Sequence, residues 1–182
     1  MVYILLADGF EEIEAIAPLD LLRRADIKAY TASITDDLLV RGGHGVVVQA
    51  DTTIEQIDFA QMDMLVLPGG GGGVATIANN PAAMDLIMRA WKAEKMLAAI
   101  CAAPSLLAKL NILDGRMITC HPTVVDEVRA AGGRPHPELS VACDHNLITG
   151  RAAGSSIDFG LELVTAICVI EASEQLRKAL YI

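Results

Sequence analysis

Short apolar runs that alternate with helical patterns predict a doubly wound α/β fold, with a mostly parallel sheet, helices on both faces and a small β-hairpin. Two observations set this expectation. Residues 2–7, Val-Tyr-Ile-Leu-Leu-Ala, are apolar without alternation, as in a strand covered on both faces. Further runs of this kind recur, and several are followed by helical spacing. A chain of 182 residues that is 53% hydrophobic can bury a sizeable core, so residues 1–182 read as one domain.

After the first strand, residues 12–24 carry Ile13, Ile16, Ala17 and Leu21 at helical spacing. Pro18 falls inside this pattern and is expected to kink or restart the helix. A second strand covers 27–33. Val40 and residues 46–50 flank Arg41-Gly42-Gly43-His44-Gly45 as a hairpin. Residues 64–67 form a strand closed by Pro68 and five glycines, which read as an anion-binding nest or a flexible loop. Asn80-Pro81 supplies a cap and a first-turn proline for a helix over 81–93. A strand over 96–100 runs into a helix over 102–110. A strand over 117–120 and a helix over 124–131 follow. Residues 139–143 and 147–149 flank a turn at His145-Asn146. Ser155 and Asp158 match a capping box for a helix running to about 170, and 171–180 form a terminal helix.

Composition excludes several functions. The net charge is -9 and the longest basic cluster is Arg23-Arg24, so no nucleic-acid partner is expected. No apolar run reaches the ~18 residues that span a bilayer, so no membrane partner is expected. The start meets Asp8 and Glu11 early and lacks a basic leader, which points to the cytoplasm. The four cysteines, Cys101, Cys120, Cys143 and Cys168, form no Cys-x-x-Cys pair, and thioredoxin chemistry and a zinc ribbon are not expected. Cys120, Cys143 and Cys168 read as structural. The glycine run lacks the Lys-Ser or Lys-Thr of a phosphate loop. Neither a cofactor nor a metal is expected.

In open α/β sheets, ligands bind beyond the carboxyl ends of the parallel strands. That rule selects residues 8–14, 69–73, 101–103 and 121–122, which bring carboxylates, backbone N–H groups, a thiol and an imidazole to one rim. Cys101 lies between a strand and a helix, flanked by Ala102 and Ala103. Such a turn places a thiol near unpaired N–H groups and favours the thiolate. One of Glu11, Glu12 and Glu14 can lean over the rim to exchange a proton with it. His121 can act as its acid or base. His136-Pro137-Glu138 enters a strand and is expected at the opposite rim.

The chain resembles the ThiJ/PfpI superfamily, close to the group that holds the human Parkinson-disease protein and bacterial YajL. The likeness rests on Ala7-Asp8-Gly9-Phe10-Glu11-Glu12-Ile13-Glu14, Leu67-Pro68-Gly69-Gly70, Ala98-Ala99-Ile100-Cys101-Ala102-Ala103-Pro104, Thr119-Cys120-His121-Pro122 and residues 154–159. It implies a flavodoxin-like fold of the class I glutamine amidotransferase-like kind and a homodimer. It implies that Cys101 is an oxidisable nucleophile and that Glu14 hydrogen-bonds its sulfur. The N–H groups of Gly70 and Ala102 would form the anion pocket, with His121 nearby and Arg24 near the dimer interface. The chain departs from relatives in Gly71-Gly72-Gly73, in His44 where some place an arginine, and in a 151–154 loop without proline.

The resemblance implies a glyoxalase or protein deglycase that takes methylglyoxal, glyoxal or their protein adducts. Two alternatives stand beside it. One is a redox sensor or chaperone that uses an oxidisable Cys101 without turnover. The other is an intracellular peptidase.

Overall fold

The computed structural model describes residues 1–168 and 170–182. Strands β1 (Val2–Leu6), β2 (Ala29–Ser33), β6 (Met64–Leu67), β7 (Met96–Ile100) and β11 (Leu147–Gly150) run parallel. Together with the short parallel edge strand β5 (Thr52–Thr53) and the antiparallel strand β10 (Val141–Asp144), they form a seven-stranded sheet ordered β10-β11-β7-β6-β1-β2-β5. Every residue of β1 is buried. Tyr3 and Leu5 enter one core, and Val2, Ile4 and Leu6 enter the other.

Helices α1 (Glu12–Arg24), α6 (Ser156–Ile167) and α7 (Ile170–Leu180) cover one face. Helices α2 (Gly71–Ala78), α3 (Pro81–Lys92), α4 (Pro104–Lys109) and α5 (Val125–Ala130) cover the other. Strands β3 (Leu39–Arg41) and β4 (Val47–Gln49) form the expected hairpin. It is fastened to the loop after β1 by Gly9 N–H to the Arg41 carbonyl and Gly43 N–H to the Phe10 carbonyl, each at 2.8 Å. The Asn80 carboxamide oxygen caps α3 by accepting from Ala83 N–H at 3.0 Å, as its sequence predicts.

Several expectations are corrected. Helix α1 runs through Pro18 without a break. The proline removes one helical N–H, but packing against α6 holds the turn. Gly160 makes this packing possible, because a Cβ there would lie 2.9 Å from the Pro18 Cα. The inward face of α1 carries Ala15, Pro18, Leu19, Leu21 and Leu22, while Ile13 and Ile16 are exposed. Gly71, Gly72 and Gly73 are the first turn of α2, neither a nest nor a loop. The lack of side chains at Gly72 and Gly73 lets α2 lie on the backbone of Gly9 and Phe10.

Strand β8 (Met117–Ile118) pairs with β9 (Arg134–Pro135) in a separate small sheet. Ser155 makes no side-chain cap, and Asp158 instead binds Arg177 at 3.1 Å. The helix expected to reach residue 170 ends at Ile167, and Val169 lies outside the described residues. The His136–Glu138 segment enters β10, which is antiparallel, so it stands at the same rim as the parallel strands' carboxyl ends. Cys120 is buried as expected, but Cys143 and Cys168 are exposed. No described helix is long and apolar enough to cross a membrane.

Candidate active site

Cys101 follows β7 and adopts φ +64°, a left-handed conformation that is uncommon for a side-chain-bearing residue. The turn is pinned on both sides. Cys101 N–H donates to the Gly150 carbonyl at 2.9 Å, and the Cys101 carbonyl accepts from His121 N–H at 2.8 Å. A sharp strand-to-helix turn of this kind lifts a side chain off the sheet edge.

Glu14, in the first turn of α1, is fully buried. Glu11 caps this helix by accepting from Glu14 N–H at 2.8 Å, and its own N–H donates to the Gly69 carbonyl at 3.0 Å. The Glu14 carboxyl reaches under the Cys101 turn. Its Oε2 accepts from Gly69 N–H at 2.8 Å. Its Oε1 is buried without a hydrogen-bond partner, and the Cys101 thiol is the titrating neighbour that acts on the carboxyl.

Burial pushes the Glu14 carboxyl up to about 7, against the hydrogen bonds from Cys101 and Gly69. Burial pushes the Cys101 thiol up to about 12, and the Glu14 charge and hydrogen bond add to this. The N–H groups of Ala102 and Gly70 reach the sulfur and pull the other way. This corrects the expectation that the turn alone favours the thiolate. The carboxyl and the thiol titrate as one unit. Once Glu14 holds the proton, the charge opposing a thiolate disappears and the carboxyl can donate to the sulfur.

Cys101 and Glu14 open into a cavity of about 630 Å3 that His121 and His44 also line. His121 reaches it from a 3-10 turn after the small sheet, not from a strand of the main sheet. Its Nδ1 accepts from Thr123 N–H at 3.3 Å and sits 2.8 Å from Thr123 Oγ1, which leaves the proton of a neutral ring on Nε2. His44 comes from the β3–β4 hairpin. Its N–H donates to Glu12 Oε1 at 2.7 Å, and its Nδ1 lies 2.8 Å from Glu12 Oε2. That bond raises the His44 ring above its ordinary value.

Glu11, Glu12 and His44 bring candidate ligand atoms within 4.8 Å of one another, a convergence that their sequence spacing does not show. Holding a cation there would break the His44–Glu12 bonds and the helix cap. Arg24 lies three turns along α1 from Glu14, exposed and paired with Asp20, and is not brought to this cavity. Sequence reading also passes over Ala152 and Ala153, which wall the cavity from the loop after β11. The rule that selects strand carboxyl ends would have found them, had residues 147–149 been read as a parallel strand.

The DJ-1/PfpI family model matches residues 1–166. The chain belongs to the DJ-1/PfpI family. This DJ-1/PfpI protein is 32% identical over 188 residues to the glutathione-independent glyoxalase DJ-1 of Schizosaccharomyces pombe, with 99% of this chain and 95% of the relative covered. It is 33% identical over 175 residues to DJ-1 homolog A of Arabidopsis thaliana, covering 96% of this chain but 44% of the relative, so it spans less than half that relative's length. The crystal structure of Drosophila melanogaster DJ-1beta superposes with a TM-score of 0.94 at 31% identity, covering 100% of this chain and 97% of that one. The family and fold expected from the sequence are those found.

Proposed function

We propose that this DJ-1/PfpI protein is a Cys101-dependent glyoxalase that needs no cofactor and converts 2-oxoaldehydes such as methylglyoxal to 2-hydroxy acids. Protein-bound adducts of the same aldehydes form a second substrate class. The reading is carried by one observation, the buried Glu14 carboxyl, raised to about 7, beside a thiol on a strained turn. The name of the S. pombe relative agrees with it.

In this mechanism the Cys101 sulfur adds to the aldehyde carbon, C1. The S–C1 bond forms, and the proton of the Glu14–Cys101 pair moves to the aldehyde oxygen to give a hemithioacetal. The N–H groups of Gly70 and Ala102 steady the oxygen as it gains charge. Glu14, now a carboxylate, removes the C1 proton as the C2 oxygen takes up a proton, giving an enediol. Glu14 then returns its proton to C2 while the C1 hydroxyl gives up its proton and becomes the thioester carbonyl. The two protons leaving C1 and its oxygen balance the two gained by C2 and its oxygen. His121, with Nε2 unengaged by Thr123, exchanges protons with solvent. Water then cleaves the S–C1 bond of the thioester, releasing the 2-hydroxy acid and restoring the thiol. The sum is aldehyde plus water giving acid, with C1 oxidised and C2 reduced, so no external oxidant is needed.

Cys101→Ser is expected to abolish conversion of methylglyoxal to lactate while the thermal midpoint stays near that of wild type. Equal turnover by both proteins overturns the reading. Absence of turnover in wild type, together with selective peroxide oxidation of Cys101 to a sulfinate, moves the function to redox sensing.

The reading includes a cytoplasmic homodimer. Exposed Ile13 and Ile16 on α1 and exposed Val46 and Val47 on the hairpin support it. Two of these, Ile13 and Val46, also line the catalytic cavity, so a partner seated there would narrow its mouth. Sedimentation at twice the 19.3 kDa chain mass is expected, and a monomer at micromolar concentration would remove this part.

A further inference from the structure

The charge of the Cys101 cavity is one-sided. Glu11, Glu12 and Glu14 line it, and among the described residues no lysine or arginine does. The nearby cation, Arg151, turns its guanidinium to the Pro137 carbonyl at 3.1 Å. Glu14 exchanges its proton with the thiol, so the standing charge falls to Glu11 and Glu12. The Glu12 side chain is only 13% exposed, and its bonds to His44 hold it at the mouth. His44 from the hairpin lies within 4.8 Å of both Glu11 and Glu12 and is bonded to Glu12, so its ring offsets part of their charge and the two carboxylates still outnumber it. The remaining wall is apolar, from Ile13, Val46, Ala152 and Ala153. An apolar wall strengthens the field of the carboxylates over a short range.

We propose that Glu11 and Glu12 make this cavity select neutral electrophiles over anionic ones of the same size. An anionic ligand meets the two carboxylates within the same small cavity, and the histidine that could pair with it, His44, is already bonded to Glu12. Applied to turnover, this names the substrate class as neutral alkyl 2-oxoaldehydes, with carboxylate-bearing 2-oxoaldehydes disfavoured. That part rests on the glyoxalase reading, whereas the field itself does not.

The full-length protein is treated separately with iodoacetamide and iodoacetate, two alkylating agents of similar size that differ in charge. In both, the Cys101 thiolate displaces iodide, forming an S–C bond as the C–I bond breaks. The rate at the Cys101 peptide is read by mass spectrometry, and the amide-to-acid ratio is divided by the ratio for 2-mercaptoethanol. A normalised ratio of about three is expected, since two carboxylates partly offset by His44 leave about one net negative charge, worth about a threefold change at this range. The ratio should fall towards one in Glu11→Gln/Glu12→Gln, and in wild type at about 1 M salt, where the screening length drops to ~3 Å. If the variant does not fold, the wild-type ratio and its salt dependence decide. A wild-type ratio at or below one overturns the proposal.

Turnover is then compared for 2-oxopentanal and 4,5-dioxopentanoate, with the neutral aldehyde expected to show the higher kcat/KM. Alkylation bias without turnover of either aldehyde removes the glyoxalase reading and keeps the charge selection. Turnover of both with equal kcat/KM and no alkylation bias does the reverse.

Discussion

Glu14→Gln is expected to remove a pH dependence from the protein's stability and to cripple its chemistry at the same time. Burial raises the folded-state Glu14 carboxyl from 4.5 to about 7, so the folded protein holds a proton that the unfolded chain gives up. The sign follows from this difference. The contribution is complete below pH 4.5 and is lost as pH rises through about 7, with a total of about 3 kcal/mol. The measurement is the urea midpoint of wild type and variant between pH 4 and 8.

The difference between the two proteins isolates this group from the others that titrate. Wild type should lose stability relative to Glu14→Gln across that window. The glutamine is a close fit, since its oxygen can accept from Gly69 N–H and its amide can face the sulfur. It cannot carry a proton, however, so turnover should fall about 10²–10⁴-fold. Parallel pH profiles for the two proteins would show that Glu14 is not the proton carrier.

Gly70→Ala is expected to destabilise the fold by about 3 kcal/mol and lower the thermal midpoint by roughly 10 °C. Gly70 has φ +88°, and a Cβ there would lie 2.6 Å from Glu11 N and 2.8 Å from Phe10 C. Both are backbone atoms, so no side-chain rotation relieves the clash. The change would also displace an N–H that reaches the Cys101 sulfur. Gly71→Ala is the matched control. A Cβ at Gly71 meets open space, and the residue begins α2, so this substitution should be neutral or raise stability by about 0.5–1 kcal/mol. Thermal melts of the two variants side by side test the contrast. Equal midpoints would show that the tight approach of β6 to the loop after β1 is not needed.

The placement of Cys101 was legible because it depends on local order, whereas Glu14 was singled out from Glu11 and Glu12 only by the family resemblance and His121 arrives from outside the main sheet. A residue between a strand and a helix lies at the sheet's carboxyl rim whatever the rest of the chain does. The acidity of the pair was not legible. It depends on how deeply Glu14 is buried, and that is set by Gly69 and Cys101, which follow β6 and β7 and close over its carboxyl. The glycine run shows a similar override. Glycine disfavours helix locally, yet residues 71–73 are helical, and at 72 and 73 the bare backbone lets the turn sit against Gly9 and Phe10. The side of the sheet on which residues 136–138 emerge was misjudged for a topological reason. One antiparallel strand, β10, reverses the sense in which a segment entering a strand meets the rim. Pairing direction is not written in the apolar pattern of a four-residue strand.

Gly160 lets α6 rest directly on the backbone of α1 at Pro18, one turn from Glu14. Helix α1 is therefore a strut between two environments, with a carboxyl in its first turn and a helix crossing one turn further along. The seat of the strut is shared with α6, which does not line the Cys101 cavity. A side chain added at position 160 would press on α1 at Pro18 and is expected to shift the Glu14 carboxyl under the sulfur. In this architecture, acidity is inherited from helix packing, and a protein engineer who wishes to retune it has a handle well away from the reacting atoms.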